Sequence, residues 1–314
     1  MGTVMKTIIL AAGYGTRLSP LSDYLPKPLI PILGRPLLWH ILRKLRGCGI
    51  TEAGVNIHHH ADQVRQFLQD EDFGINITVS YESDILGVAG GIGAFREFLK
   101  HEEFFMIHNG DILSTIPIDQ MAAAYQKKRS LITMVLHDYP PYNNVSLAAD
   151  GTICDIRDTL KPLSWVKKLA YTGLAFMDAG MLPLIPESPG DLIPLCLEII
   201  RKGEHRIDAI IADGYEWRDV GTVKSYFEVH RDILCRKKPL IAEVVIPPDG
   251  IYIEEDTLVA DGVQFKGFAS VGKRCILRKK SSLENAILWD DVIIEEGVNI
   301  KNSIVGRAFQ ANAE

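Results

Sequence analysis

Ile8-Ile9-Leu10-Ala11-Ala12-Gly13-Tyr14-Gly15-Thr16-Arg17-Leu18-Ser19-Pro20 runs from an apolar stretch into small residues and a cation, and Lys27 follows inside Pro26-Lys27-Pro28. Glycines let backbone approach an anion closely and turn its N–H groups toward it. A guanidinium adds a fork of donors to phosphate, and a lysine adds a mobile point charge. The stretch therefore reads as a strand feeding a polyphosphate-binding loop. Spacing excludes two familiar versions. Leu18 stands where a dinucleotide fingerprint needs its third glycine, and the same residue breaks the P-loop spacing counted from Gly13. A plain turn with surface cations fits less well, because Lys27 is fenced by two prolines and does not sit on a solvated helix face.

Outward from this loop, the first half alternates strand-like and helix-like segments. Residues 5–10 read as a strand, 37–45 as a helix ending near Gly47 and Gly49, 53–57 as a strand and 61–68 as a helix. Strand 75–81, helix 89–99 and strand 104–107 come next. This order predicts an α/β fold, a Rossmann-like, mostly parallel mixed sheet with helices on both faces. Ligands bind such sheets at the carboxyl ends of strands, where the Gly13 loop and Asn109-Gly110-Asp111 would both lie. The middle is less regular. Strands are expected at 131–136, 145–148, 152–156 and 171–177, with Asp150-Gly151 as a hairpin turn, and helices at 191–201 and 223–235.

The last seventy or so residues change character. Ile253, Val259, Phe265, Val271, Leu277 and Leu283 recur every six residues, and Val292, Val298 and Ile304 take up the period in a new phase. That pattern predicts a short left-handed parallel β-helix of hexapeptide repeats, with about 18 residues per three-sided turn. Residues 239–248 form the expected linker, dividing the chain into a catalytic domain, 1–238, and a repeat domain, 239–314. So few coils suit stacking, regulation or homo-oligomer contacts better than a second active site.

The chain has 314 residues, 24% of them charged, and a net charge of −6, which argues against a nucleic-acid-coating protein. Its five cysteines are isolated, so they read as reduced thiols and not as a disulfide framework or zinc site. The apolar run at 7–12 is too short for a secretory leader, and other apolar runs fall short of the ~20 residues of a membrane span. A cytoplasmic protein without membrane partners is the expectation. Met5 is an alternative start, with residues 1–4 an extension. His58-His59-His60 follows a strand, where side chains alternate in direction, so a structural role is expected for them.

Asp111, after a strand and near a phosphate loop, is a good Mg²⁺ ligand, because Mg²⁺ takes one or two carboxylates plus phosphate oxygens and water. Asn109-Gly110-Asp111 is also a common turn, and Asp219 in Trp217-Arg218-Asp219-Val220-Gly221-Thr222 could be a helix cap. Taken with Leu10–Leu18, Pro26-Lys27-Pro28, Leu86-Gly87-Val88-Ala89-Gly90-Gly91 and Tyr171-Thr172-Gly173, these segments occur in the order found in one family. The chain resembles the sugar-1-phosphate nucleotidyltransferases, or nucleotide-sugar pyrophosphorylases, from residue 5 to about 237, and its tail is similar to the β-helix many members append.

The resemblance implies roles for particular residues. Gly13, Gly15 and Thr16 would wrap a nucleoside triphosphate, and Arg17 would hold the leaving pyrophosphate. Lys27 would neutralise charge at the α-phosphate, while Asp111 and Asp219 would hold the catalytic Mg²⁺. Lys161 would grip the sugar phosphate and Gly173 the sugar; Leu10, Ala12 and Gly90 would border the base. Two positions depart from the family. Leu160 stands where Glu often precedes the Lys-Pro pair, and Val88 stands where Thr is frequent. Segment 86–92 and the short β-helix look most like mannose-1-phosphate guanylyltransferases and related sugar uridylyltransferases, and GTP with mannose 1-phosphate is the reading preferred. The alternatives are a uridylyltransferase acting on glucose 1-phosphate or an N-acetylated amino-sugar 1-phosphate, and a non-catalytic subunit that senses nucleotide sugars. An acyltransferase in the repeats fails for want of coils and of a catalytic histidine there.

Overall fold

A computed structural model describes residues 5–162 and 164–312; the extension proposed at 1–4 lies outside the described residues. The chain forms two compact units. One comprises Met1–Gly13, Leu42–Ile112 and Ile116–Tyr215, and the other Tyr14–Ile41, Leu113–Thr115 and Glu216–Glu314.

The first unit is built on a nine-stranded sheet. Its strands are β1 (Thr7–Leu10), β2 (Glu52–Ile57), β3 (Asn76–Tyr81), β4 (Phe104–Asn109), β5 (Ile132–His137), β6 (Val145–Leu147), β7 (Ile153–Ile156), β8 (Lys167–Asp178) and β9 (Ile207–Ile211). The order β7-β6-β8-β4-β1-β2-β3 puts β1 at the centre, with β5 and β9 continuing from β8. β1 pairs in parallel with β2 and β4, and β2 with β3. β8 is antiparallel to β4, β5 and β6. Neighbouring residues Ile8 and Ile9 point to opposite faces and are both fully buried, so this sheet is covered on both sides. On one side, Ile8, Phe105 and Ile107 share a core with Ala89 and Ile92 of α1 (Gly87–Gly93) and Leu192 and Cys196 of α2 (Leu192–Lys202).

Three departures from the sequence reading have local causes. The helix expected at 89–99 is two pieces, Gly87–Gly93 and Arg96–Leu99, because three of the seven residues in the first are further glycines after Gly87. A helix at Ile118–Lys128 was not foreseen, since Met121, Ala122 and Tyr125 make a narrow apolar stripe. β9 was also missed, as Ile207–Ile211 is interrupted by an aspartate. The Asp150-Gly151 turn is present, with Gly151 at φ 82° between antiparallel β6 and β7.

The second unit carries parallel ladders in its C-terminal part. Ile251–Ile253, Gln264–Val271, Ser282–Leu288 and Asn299–Gly306 stack in one ladder, and Leu258–Val259, Ile276–Leu277 and Ile293–Ile294 in another. Each residue pairs 18 or 17 positions on, as Ile251 with Ala269 and Ser282 with Asn299. The phase change differs from the one expected. Leu288, Ile294 and Ile300 continue the inward row after Leu283; of the residues expected there, Val292 and Ile304 are also buried, whereas Val298 is 39% exposed. A 17-residue coil advances the row by five residues once, after which the six-residue period resumes. Phe309–Asn312 turns back antiparallel on Asn299–Gly306 and covers the last strand.

His40, His108 and His230 are buried, and burial pushes the pKa of each down to about 4. Unfolded, they would take up protons near 6.5. The unfolded chain therefore binds more protons between pH 6.5 and 4, and stability falls as the pH is lowered through that window. By pH 5 each contributes a loss of about 2 kcal/mol. Urea unfolding measured from pH 7.5 to 5 should show this decline, with a shallower slope for His230→Gln. An equal slope in that variant would count against the assignment.

Candidate active site

In the first unit the site begins with a close backbone approach. Gly110 N donates to Leu10 O at 2.9 Å, and a Cβ on Gly110 would stand 2.8 Å from that oxygen. Only glycine fits there, so the carboxyl ends of β1 and β4 lie side by side. One residue on, half-buried Asp111 joins Leu10, Ala12 and Gly13 in lining a cleft of about 290 Å³. No atom outside the adjoining chain stands within 4 Å of where a Gly13 Cβ would be, so its exposed backbone faces open space.

A buried polar brace holds the cleft floor. Ala11 N donates to Asn56 Oδ1 at 2.7 Å, Asn56 Nδ2 donates to Glu82 Oε1 at 2.7 Å, and Leu86 N donates to Glu82 Oε2 at 2.9 Å. Asn56 and Glu82 are 4% and 2% exposed, and both line the cleft. The brace ties the loop after β1 to the start of α1. Sequence reasoning missed both residues, although an asparagine in the apolar run Ala53-Gly54-Val55-Asn56-Ile57 was a visible signal. Gly87, at φ 72°, presses on Gly190 O, which accepts from Ala89 N at 2.9 Å and Gly90 N at 3.2 Å. This lacing brings Asp191 to the cleft wall beside Gly87 and Val88. Gly90 itself is buried against Leu86 and Pro189.

Gly173 sits in a register shift of β8 at φ 81°, where a Cβ would stand 2.9 Å from Asn109 Nδ2. It is thus packed directly behind the cleft-lining Asn109. Lys161 is exposed on the segment after β7 and has a left-handed backbone at φ 49°. Leu160, beside it, packs on the sheet's core.

The second unit holds the cations. Gly15, at φ 67°, opens the 3₁₀ turn Thr16–Leu18, and Leu18 N donates to Gly15 O at 2.8 Å. A Cβ on Gly15 would lie 3.3 Å from Ser22 Cβ and 3.4 Å from Lys27 Cβ. The segment therefore folds back and lays the Lys27 stem against Gly15. Thr16 and Arg17 are exposed, and Lys27 is half-buried. At Gly221, a Cβ would meet Asp219 Oδ1 at 2.6 Å and Arg17 Nη2 at 3.1 Å, so the carboxylate and the guanidinium converge on one glycine.

Asp219 ends the short strand Trp217–Asp219 and is held by its neighbours. Arg218 Nε donates to Asp232 Oδ2 at 2.6 Å, Arg236 Nη1 donates to Asp232 Oδ1 at 2.6 Å, and Asp232 is 1% exposed. Thr222 caps α3 (Val223–Leu234) through a reciprocal pair with Ser225. The first unit thus gathers Leu10, Ala12, Gly13 and Asp111, while the second gathers Gly15, Arg17, Lys27 and Asp219.

Among the described residues no group of three or more His, Cys, Asp and Glu is placed to hold an ion. A hard cation held by one or two carboxylates takes its remaining ligands from phosphate and water. The three histidines do not converge. His58 Nδ1 bonds Glu82 O at 2.9 Å, and His60 has φ 49° at the start of Ala61–Asp70. Among the described residues no helix is long and apolar enough to cross a membrane.

Comparison with known proteins bears on this arrangement. Residues 6–236 match the nucleotidyl transferase family. The chain is 26% identical to a UTP–glucose-1-phosphate uridylyltransferase of Synechocystis, over 96% of this chain and 87% of that one. It is 28% identical to a mannose-1-phosphate guanyltransferase of Yarrowia lipolytica, over 82% of this chain and 72% of that one. The crystal structure of HddC from Yersinia pseudotuberculosis complexed with GMP-PN has the same fold, with a TM-score of 0.61 at 18% identity, covering 74% of this chain and 99% of that one. With the family matched from β1 to the end of α3, the chain belongs to the nucleotidyl transferases, in the branch of sugar-1-phosphate nucleotidyltransferases.

Proposed function

We propose that this protein joins a nucleoside triphosphate to a sugar 1-phosphate, releasing pyrophosphate, with GTP and mannose 1-phosphate as its substrates. The observation that carries the reading is the cleft in which the Ala12-Gly13 turn and Asp111 share one wall. A sugar-1-phosphate oxygen attacks the α-phosphorus in line, and pyrophosphate departs. The nucleophile is already an anion, so no general base and no covalent intermediate is needed. Catalysis consists of alignment and of neutralising anions that repel.

In this reading Gly13, Gly15 and Thr16 present backbone donors to the triphosphate, Leu10 and Ala12 border the base, and Gly90, buried and off the cleft lining, holds the start of α1 through its N–H on Gly190 O. Arg17 takes the charge of the leaving pyrophosphate, and Lys27 that of the α-phosphate. Lys161 and Gly173 serve the sugar phosphate and sugar. Asp111 and Asp219 would hold Mg²⁺, which supplies further neutralisation of phosphate charge when bound. We assign the reaction to residues 1–238. We read the ladders within 239–314, with their coils of 17 or 18 residues, as a left-handed β-helix through which copies associate. Its outward residues Leu258 and Ile293 are 65% and 51% exposed, which supports that role.

A second reading has a specific observation behind it, since the Synechocystis relative is named a uridylyltransferase and aligns over nearly the whole chain. Pyrophosphate release measured for four nucleoside triphosphates against mannose, glucose and N-acetylglucosamine 1-phosphates should be highest with GTP and mannose 1-phosphate. Activity with UTP alone would replace the first reading by the second. Absence of turnover with every pair, alongside nucleotide-sugar binding, would favour a sensing subunit. Arg17→Ala, Lys27→Ala and Asp111→Ala should each lower turnover at least ~10²-fold, the scale of one lost electrostatic stabiliser. Near wild-type rates in all three would defeat the assignment. Ile293→Glu should reduce the mass measured by light scattering to that of a single chain; an unchanged mass argues against association through this face.

A further inference from the structure

The cleft of the first unit crosses the carboxyl ends of four neighbouring strands. Asp111 stands just past β4, Ala12 and Gly13 just past β1, Asn56 on β2 and Glu82 just past β3. Adjacent strands lie about 4.8 Å apart, so the cleft extends about 14 Å along the edge of the sheet. Its two ends differ in chemistry. The β4 and β1 end offers the Gly13 backbone and the Asp111 carboxylate, which the proposed reaction uses for phosphate and metal. The β2 and β3 end is bordered by Ile85, Gly87, Val88 and Asp191. Ile85 and Val88 bring apolar surface to it. Leu10 leans the same way, since a Cβ on Gly91 would be 2.6 Å from Asn56 Nδ2 and 3.6 Å from Leu10 Cδ2. An apolar slot continuing from a phosphate end is the place of a nucleobase.

Two polar side chains at that end are engaged with each other. Asn56 Oδ1 accepts from Ala11 N and its Nδ2 donates to Glu82 Oε1, while Glu82 Oε2 accepts from Leu86 N. Asp191 is placed otherwise. It occupies the N-cap of α2, where an aspartate ordinarily accepts from the first turn of its own helix, yet its side chain makes no such bond. The carboxylate stands beside α1 instead, with Oδ1 3.1 Å from where a Cβ of Gly87 would be. Gly190 fixes it there. That residue's carbonyl accepts from Ala89 N at 2.9 Å and Gly90 N at 3.2 Å, and its N–H donates to Leu86 O at 2.8 Å. Asp191 is exposed and lines the cleft, so its oxygens are within reach of a ligand lying there.

We infer that, given the nucleotide role proposed for this cleft, Asp191 selects the base by accepting hydrogen bonds from N1–H and the N2 amino group of guanine. Of the four common bases, guanine alone sets two N–H donors side by side on its pairing edge. The two oxygens of a carboxylate accept such a pair in parallel, as they do from a guanidinium fork. Uracil presents one N3–H between two carbonyl oxygens, so a carboxylate that takes the proton also meets an oxygen that repels it. Adenine and cytosine set a ring-nitrogen acceptor beside their amino group, with the same conflict. One side chain thus attracts guanine and opposes the other three bases, and both effects contribute to specificity.

Calorimetric titration of the full chain with GDP, IDP and UDP reads the base apart from the reaction; IDP lacks the N2 amino group. Wild type should bind GDP ~10-fold or more tighter than IDP, the scale of one hydrogen bond to a charged group. Asp191→Ala should bind the two alike. Asp191→Asn keeps the size and sets an N–H donor beside a carbonyl acceptor, so it should bind UDP more tightly than wild type does. In turnover with mannose 1-phosphate, Asp191→Ala should raise the KM for GTP by a similar factor, with a far smaller effect on the KM for mannose 1-phosphate. Equal binding of GDP and IDP by wild type, or a preference that persists in Asp191→Ala, overturns the role of Asp191; turnover with GTP would then still uphold the proposed reaction. Tighter binding of UDP than of GDP by wild type overturns both the choice of GTP and the role of Asp191. A GDP preference lost in Asp191→Ala, with no pair of substrates turned over by wild type, upholds Asp191 and overturns the catalytic reading.

Discussion

The contact between Gly110 and the carbonyl of Leu10 is the constraint on which the first unit's site depends. An N–H donated at 2.9 Å and the absence of room for a Cβ hold the ends of two parallel strands at backbone distance. Parallel strands end together, so the residues after each of them must share the space beyond the sheet. After β1 these are Ala11 to Gly13, whose backbone can face an anion, and after β4 the residue is Asp111. A side chain at 110 would part the two strand ends and widen the distance over which a carboxylate and a phosphate loop act on the same ligand. The Asn56–Glu82 brace fixes the same loop from the other side. Its members are buried and hydrogen-bonded to one another, and leaving any one unmatched in that setting costs about 1–3 kcal/mol.

Much of this was legible from residue types and spacing. β1 to β4 lie close to where the sequence pattern put them, β1, β2 and β4 from largely buried apolar runs and β3 from its alternation of apolar and polar residues. The glycines of the first loop and Asp111 were recognisable because their chemistry is local in the chain. The brace was not, since Asn56 and Glu82 meet only through the pairing of β2 with β3. Asp191 reaches the cleft through Gly190, whose carbonyl is bonded by residues a hundred positions earlier. Nothing in the spacing of the sequence encodes that contact. Of the inward residues expected after Leu283, Val292 and Ile304 are buried and Val298 is not, and the row from Leu288 could not be read because the pairing offset drops from 18 to 17 residues with no mark in composition.

The second unit uses a different device to fix its charged groups. Asp219 stands at the end of a strand of three residues. Its position is set by adjoining residues, with Arg218 bonded to buried Asp232 and Thr222 with Ser225 closing the start of α3. The same helix reaches the earlier part of the unit, where Tyr226 Oη donates to Pro31 O at 2.7 Å. One helix therefore orders both the carboxylate at 219 and the segment that carries Lys27. Trp289 bonds the same Tyr226 hydroxyl, which extends this order to the C-terminal ladders.

Position 160 is set by the turn that precedes Lys161. Leu160 N donates to Asp155 Oδ1 at 2.9 Å, and the leucine side chain packs on the sheet's core. Asp155 also accepts from Ile156 N and Thr159 N, so one buried carboxylate shapes the whole turn before Lys161. A glutamate at 160 would have to bury its charge among these apolar neighbours or abandon the turn. The side chain at 160 is committed to packing. Near Gly173 and Asn109, a left-handed glycine holds the strand against the asparagine.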